Sequence, residues 1–409
     1  MNSLALHDRG FSKWLMFGAV SFAFFFLNLA TFTSLGVVLF TMEAELHWSI
    51  TAAVFSFTFL GLACGLTSPL PGMTMRTWGG RRTVCVGAGL LATGFFLASI
   101  SHSLLSFYIA MVFIGAGYSF TGNVPAVYLI SGWFQGKTAR MIGIYMMLGA
   151  AGATVGPSIV GTIVRLGGWR GHWQAMAWIA VALLALSFAF VRDSKVPDAP
   201  RMAGHFRRAL FSPQFLLIAA VMTANMACVT TNSSVAMNHL VQFGDTPQKA
   251  AFVLGMIGAI ATVFKFASGW LCEIVKPPVV TAVGLVLQAA GMALFGFADT
   301  TVLQYASAIA FGTGWGLSYV AGTVLLIEFF GRDIGSQLLS CVWFIVSVAA
   351  FGPVAAGFFG DNYGTFAPIY VIYGAMMALL AFPILVMRRP AEDVVEEGRS
   401  QLMPKATAI

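Results

Sequence analysis

One cation, Lys265, stands in "GAIATVFKFASGWLCEIV" (258–275), a run otherwise apolar or small until Glu273. Lys265 precedes Glu273 by eight residues, about 12 Å along a helix at 1.5 Å per residue. A cation in the centre of a bilayer costs about 2.5–3.5 kcal/mol on insertion scales. None of the 15 acidic residues falls at the middle of an apolar run; Glu273 and Glu328 come nearest, each close to the end of one. A buried cation without a counter-anion suits an anionic ligand, so the carboxylate of a small organic anion is the expected countercharge. Three other states of the lysine stand beside this one: it snorkels to the interface, pairs with Glu273, or loses its proton on desolvation.

Other polar groups inside apolar runs include Asn28, Thr31, Thr33, Tyr118, Asn123, Tyr145, Thr231, Asn232, Asn238, His239, Tyr319 and Trp343. Amides and hydroxyls orient a carboxylic acid and aromatic rings shape its apolar end; helix packing is the other use of each. Histidine titrates in the range that proton coupling requires, so His239 and Lys265 are the candidate proton carriers. No second histidine lies at membrane depth, which leaves paired haem ligation unsupported. The five cysteines are scattered without a C-x-x-C, so neither metal nor disulfide is indicated. No cluster of His, Asp, Glu or Cys at catalytic spacing points to an enzyme, and no cofactor is expected.

The elements that must carry these groups are membrane helices. Of 409 residues, 58% are hydrophobic and 9% charged, against roughly 25% charged in soluble proteins. Uncharged runs recur at the length of about 20 residues that a spanning helix needs, without the alternation of a β-barrel. The expected spans are 14–41, 48–75, 83–101, 104–133, 138–164, 172–191, 213–243, 247–275, 279–298, 302–330, 334–360 and 365–387. With these twelve spans, 18 of the 22 Lys and Arg residues fall on the side of the N-terminus, three on the other, and Lys265 between. Such an excess marks the cytoplasmic side, so the expectation is a multi-pass protein of a cell's inner (plasma) membrane with both termini cytoplasmic. The same asymmetry accounts for the net charge of +7 without a nucleic-acid partner.

The chain also repeats itself. "GPSIVG" (156–161) returns as "GPVAAG" (352–357), "GAGY" (115–118) as "GTGW" (312–315), and Gly72 as Gly269, at offsets of 196 or 197. "WF" (133–134) and "FF" (329–330) precede their Gly-Pro by the same interval. The expectation is an N-terminal six-helix bundle (1–191), a cytoplasmic linker (192–212), a C-terminal six-helix bundle (213–387) and a cytoplasmic tail (388–409). Parallel repeats of this kind describe the major facilitator fold, an all-α membrane protein with its substrate site between the halves.

Particular residues resemble that superfamily. "GMTMRTWGGRR" (72–82) resembles its signature loop, with Gly72 and Gly79 in place, Arg76 at the aspartate position, and Arg81 and Arg82 one residue late. The resemblance implies a cytoplasmic gating loop in which the usual aspartate contact is missing. "WFQGKTARMIGIYMMLGAAGATVGPSIVG" (133–161) and "NHLVQFGDTPQKAAFVLGMIGAIATVFKFASGWLCE" (238–273) resemble the monocarboxylate and oxalate/formate porter branch, where a cation occupies the eighth span. The implied function is secondary transport of small organic anions, above all monocarboxylates, by alternating access with proton coupling or anion exchange. No nucleotide-binding P-loop is present, so gradients are the energy source. The partners would be the anion, the lipid bilayer and protons, and the chain is expected to act as a monomer. A drug or cation exporter of the same fold would need a membrane acid, and a non-transporting receptor would show no flux.

Overall fold

The structure, a computed structural model, describes residues 2–134, 138–193 and 203–389, and the side chains of these other than 2–11, 76, 138–140, 203–205, 331–337 and 340. It is helical throughout: α1 (Asn2–Ala30), α2 (Leu35–Leu46), α3 (Ile50–Thr67), α4 (Pro69–Thr77), α5 (Gly80–Ser99), α6 (Leu104–Thr121), α7 (Asn123–Trp133), α8 (Thr138–Phe190), α9 (Ala203–Leu210), α10 (Pro213–Gln242), α11 (Pro247–Ile274), α12 (Pro277–Gly296), α13 (Thr301–Val346), a 3-10 turn (Ser347–Phe351), α14 (Gly352–Tyr363) and α15 (Ala367–Leu385). Starts follow local chemistry. Ser212 and Thr246 each accept a first-turn N–H and each precede a proline at the first helical position, where the missing N–H is harmless.

Eleven apolar segments of the described residues are long enough to cross a bilayer, one of them the 50-residue Met141–Phe190. At 1.5 Å per residue that segment would run about 75 Å, against a hydrocarbon core of about 30 Å. It turns at Gly168, with φ 67° and ψ 177°, a conformation glycine adopts without steric penalty. The segment therefore holds two crossings and the crossings total twelve. The face near residues 12, 78, 190, 212, 275 and 386 is called terminal below, and the face near 47, 101, 168, 244, 299 and 364 distal.

Several expected spans are not single helices. The first, read as 14–41, breaks at residues 31–34 and continues to Leu46. Thr31 and Thr33 hydroxyls donate to the carbonyls of Leu27 and Asn28, each at 2.6 Å, competing with the helix for those acceptors. The second breaks at Ser68 before Pro69, the fourth at Gly122, and the eleventh passes through the 3-10 turn. An apolar run hides such breaks, because irregular backbone is tolerated at membrane depth where protein or a cavity surrounds it. The linker differs too. Within 192–212, residues 203–210 form α9, whose Ala209 is buried while Arg207 and Arg208 are exposed. Residues 194–202 of the linker and the tail from 390 lie outside the described residues.

The repeat reappears as matched contacts between helices. A Cβ at Gly115 would meet the Leu60 carbonyl, and one at Gly312 the Ile257 carbonyl; both partners and both glycines are 197 positions apart. Gly94 closes on Ile114 and Gly291 on Phe311, again at 197. Gly156 packs on Leu29 and Ser34, and Gly352 on Ala227 and Thr231. Small residues set these close approaches, and equal spacing in sequence gives equal packing in each half. Large side chains such as Phe266, Val302, Leu379 and Phe382 stay exposed, as lipid-facing surface requires.

Four hydrogen bonds join the halves among the described residues. Asp361 of α14 accepts from the N–H groups of Ile50 (2.9 Å) and Thr51 (2.8 Å) at the start of α3. Asn238 donates to Glu43 at 2.6 Å, and Thr58 to the Ala350 carbonyl at 2.7 Å. All lie at the distal face or near mid-depth. There, too, a Cβ at Gly36 would meet the Ser233 carbonyl, and one at Gly357 the Thr51 backbone. Toward the terminal face Gly72, Gly143 and Gly269 have nothing within 4 Å of a Cβ. Among the described residues the halves meet distally and near mid-depth, and no hydrogen bond joins them at the terminal face.

Candidate functional site

Between the halves lies a small cavity, lined by Thr33 and Ala153 from the first half and by Asn232, Ser233, Gly258, Phe311 and Trp315 from the second, among others. In this conformation it is a narrow crevice, with about 20 Å³ of room, little more than a water molecule needs. Thr33 reaches it because the first span breaks there. Asn232 is 3% exposed.

Lys265 stands on α11 beside this cavity, nine residues from the terminal end at Ile274, or about 14 Å at 1.5 Å per residue. Its Nζ lies 4.1 Å from the ring centroid of Trp315 and 5.0 Å from that of Tyr319. Among the described residues it has neither a hydrogen bond nor an ion pair. Glu328 pairs instead with Arg389. Cation–π contacts supply about 0.5–2 kcal/mol, less than the roughly 2.5–3.5 kcal/mol that a central lysine costs. An ammonium held by ring faces alone thus remains short of a countercharge. The indole Nε1 of Trp315 is buried with no acceptor. Charge and donor flank the cavity together, the chemistry that binds a carboxylate.

The sequence candidates divide. Lys265, Tyr319 and Trp343 form one cluster, with the Tyr319 and Trp343 rings 5.9 Å apart. Asn232 lines the cavity. From the first half, Tyr118 stands edge-on to Phe32 at 5.6 Å and lies within electrostatic reach of Tyr319. Tyr145 is fully buried, stacked on Phe24 at 4.5 Å, its hydroxyl without a partner. Asn28 donates back to the Phe24 carbonyl at 2.8 Å, and Asn123 begins α7 with Oδ1 buried and unpartnered.

His239 stands apart from the cluster. It is 1% exposed, with Nε2 at 2.8 Å from the Phe295 carbonyl and its ring enclosed by Phe243, Phe295, Phe366 and Tyr370. It packs inside the second half, seven residues and so about 10 Å further toward the distal face than Asn232 on the same helix. Sequence reading passed over Trp315, since a tryptophan in an apolar run carries no sign of its neighbours. It also set Glu43 beyond the first span, whereas the longer α2 buries that carboxylate within a membrane helix.

The loop at 72–82 finds its acid elsewhere. Asp193, just after α8, accepts from the N–H groups of Gly80 and, at 3.2 Å, Arg81. A carboxylate at a helix N-terminus satisfies free donors and the helix dipole together. Gly79, at φ 84°, lets the loop pass so close that a Cβ would touch Asp193. Arg81 donates to the Phe188 carbonyl, Nε at 2.6 Å, and Arg82 is exposed. Gly72 lies in α4; the Arg76 side chain lies outside the described residues. An acid just after α8 thus holds the start of α5. Asp193→Ala is expected to lower stability by about 0.5–2 kcal/mol, the usual loss on removing a helix cap; thermal unfolding in detergent checks it.

The sequence model described as Major Facilitator Superfamily matches residues 20–350. Monocarboxylate transporter 13 of Rattus norvegicus is 26% identical over 98% of this chain and 94% of its own. Multidrug resistance protein MdtG of Enterobacter lignolyticus is 23% identical over 86% and 87%. The crystal structure of a nucleoside transporter superposes with a TM-score of 0.76 at 15% identity, covering 91% of this chain and 99% of that one. Twelve crossings in two like halves around a central cavity, and a family match across most of the length, make this multi-pass membrane transporter a member of the major facilitator superfamily.

Proposed function

We propose that the chain is a secondary active carrier of small organic anions, foremost monocarboxylates, in the inner (plasma) membrane with its terminal face toward the cytoplasm. One observation carries the reading: the Lys265 ammonium stands beside the central cavity with aromatic faces but no carboxylate among the described residues. The substrate carboxylate takes that place, with Trp315 Nε1–H as a second donor and Asn232 and Thr33 near its other end. The relative named as a monocarboxylate transporter supports the same cargo class, and the cation excess at the terminal face supports the orientation.

Alternating access follows from how the halves meet. In this conformation the distal contacts are made and the terminal side is apart, so the cavity faces the cytoplasm. Cargo neutralises Lys265, which lets the charged site cross between the two exposures. Movement of a proton with the anion, or exchange of one anion for another, completes the cycle.

A relative is named as a multidrug resistance protein, and Glu43 provides a buried membrane acid. That acid is bonded to Asn238 at the distal interface and does not line the cavity, which favours the anion. Flux in proteoliposomes across a panel of labelled monocarboxylates, dicarboxylates and organic cations, with and without a pH gradient, tests the choice. Saturable uptake of monocarboxylates alone is the expected result; uptake of cations alone removes the reading. Trp315→Phe keeps a ring under Lys265 but deletes the indole donor. A hydrogen bond to a charged group is worth about 1.5–3 kcal/mol, so KM should rise roughly 10- to 150-fold at 1.4 kcal/mol per decade. Concentration-dependent uptake measures it.

A further inference from the structure

Glu43 lies in α2, three residues before its distal end at Leu46, and is 9% exposed. Its Oε2 accepts from Nδ2 of Asn238, on α10 of the other half, at 2.6 Å. Its Oε1 is buried without a partner, and so is Oδ1 of Asn238. Two unpaired acceptors within one bonded pair are what a missing hydrogen leaves behind. A proton on Oε1 makes that oxygen a donor, and the Asn238 oxygen is the acceptor nearest to hand in the pair. The acid and the amide then exchange two hydrogen bonds and all four polar atoms are satisfied. Ionised, the same carboxyl would bury a full charge against a single neutral donor, which is strongly unfavourable.

Among the described residues the surroundings supply no cation. On α8, Arg170 is paired with Glu45 at 2.8 Å, Arg165 is exposed, and His172 is buried against Trp173. On α10, the neighbouring His239 is bonded to the Phe295 carbonyl. On α11, Lys249 is paired with Asp245 at 2.6 Å. α3 contains no Asp, Glu, Lys, Arg or His. On α14, Asp361 is a second carboxylate that acts on Glu43 electrostatically. On α2 itself Glu45 is exposed, as is His47 just after its end.

We infer that Glu43 and Asn238 form a proton-binding site in the distal interface, filled when the two halves close there and released to the distal solution when they part. When α2 and α10 separate, water hydrates the carboxyl and it behaves as an ordinary glutamate, ionised above about pH 4.3. Closure removes that water and requires the neutral acid. Closing therefore takes one proton from the distal side, and distal acidity favours the distal-closed state. The inference rests on the alternating-access part of the proposed function and not on the identity of the cargo.

Spin labels at Leu166 and Val302, both exposed near the distal face, report closure in the full chain in lipid nanodiscs, with the five native cysteines replaced. Double electron–electron resonance is recorded without cargo from about pH 8 to about pH 5, spanning the range in which a hydrated and a buried carboxyl differ. The short-distance population should grow as pH falls. Glu43→Gln, which mimics the neutral acid, should hold the short distance throughout. Asn238→Asp sets two carboxyls to share a proton and should move the transition up by about one pH unit or more. A wild-type distance distribution independent of pH, an E43Q protein that keeps the wild-type response, or an N238D midpoint that does not move would each overturn the proposal. If no organic acid is transported while the pH response persists, the cargo assignment falls and this site stands.

Discussion

Lys265→Gln is expected to remove nearly all saturable uptake of the transported acid while leaving the protein folded in the membrane. Glutamine keeps most of the volume and a polar tip but no charge. The bound carboxylate would then be buried without its counter-ion. Removing one member of a buried charged pair costs about 2–5 kcal/mol, which is roughly 30- to 4,000-fold at 1.4 kcal/mol per decade. Lys265→Arg should do better than Gln, because it keeps the charge over Trp315, and worse than wild type, because its planar fork needs more room than a point ammonium. Initial-rate uptake over a range of substrate concentrations separates the variants. Uptake by the glutamine variant within twofold of wild type would sink the assignment of Lys265 to cargo. Its stability should hold or rise, since a half-buried charge without a counter-ion is gone.

The second large effect concerns the distal gate. A Cβ at Gly36 would lie 2.1 Å from the Ser233 carbonyl oxygen and 2.9 Å from that of Ser234. Both are backbone atoms of α10, so no side chain can rotate away. Gly36→Val should therefore hold α2 off α10, break the Glu43–Asn238 contact and disfavour the distal-closed state. Overpacking costs about 1–3 kcal/mol, a population shift of roughly 5- to 150-fold. Transport should fall accordingly, and distal spin labels should report the open distance. Gly18→Ala is the control, because nothing lies within 4 Å of a Cβ there. Equal losses in both variants would mean that close packing at Gly36 has no part in the cycle.

Much of the architecture is legible in the sequence because a bilayer imposes simple rules on a chain. Crossings need length and apolarity, and both are local properties. The expected spans 83–101, 247–275 and 365–387 match α5, α11 and α15 to within a few residues. The repeat is visible because matched glycines must stay small where helices touch. Internal breaks are not visible. The first span is interrupted at 31–34, where Thr31 and Thr33 back-bond, yet Thr223 and Thr262 back-bond within unbroken helices, so residue type does not mark the break. The five extra residues of α2 matter most, since they carry Glu43 from a polar connection into the interface.

Lys265 is conspicuous in the sequence because a charge within an apolar run is rare. Its environment is not. Trp315 is 50 residues away in sequence and 4.1 Å away in space, and nothing marks it among the ten tryptophans. Asp193 likewise serves a loop more than a hundred residues earlier. His239 shows the opposite case, a conspicuous residue enclosed by aromatic rings two helical turns beyond the cavity.

By itself the sequence determined what must lie within the membrane, how many times the chain crosses, that it does so in two like halves, and that one cation is carried to depth. Those follow from the free energy of placing each side chain in hydrocarbon, which is additive along the chain. Only the tertiary structure decided which partners that cation has, which acid caps the signature loop, and that a carboxyl and an amide from opposite halves meet at the distal face. Those depend on distances between residues remote in sequence, set by how glycine-lined helices close on one another.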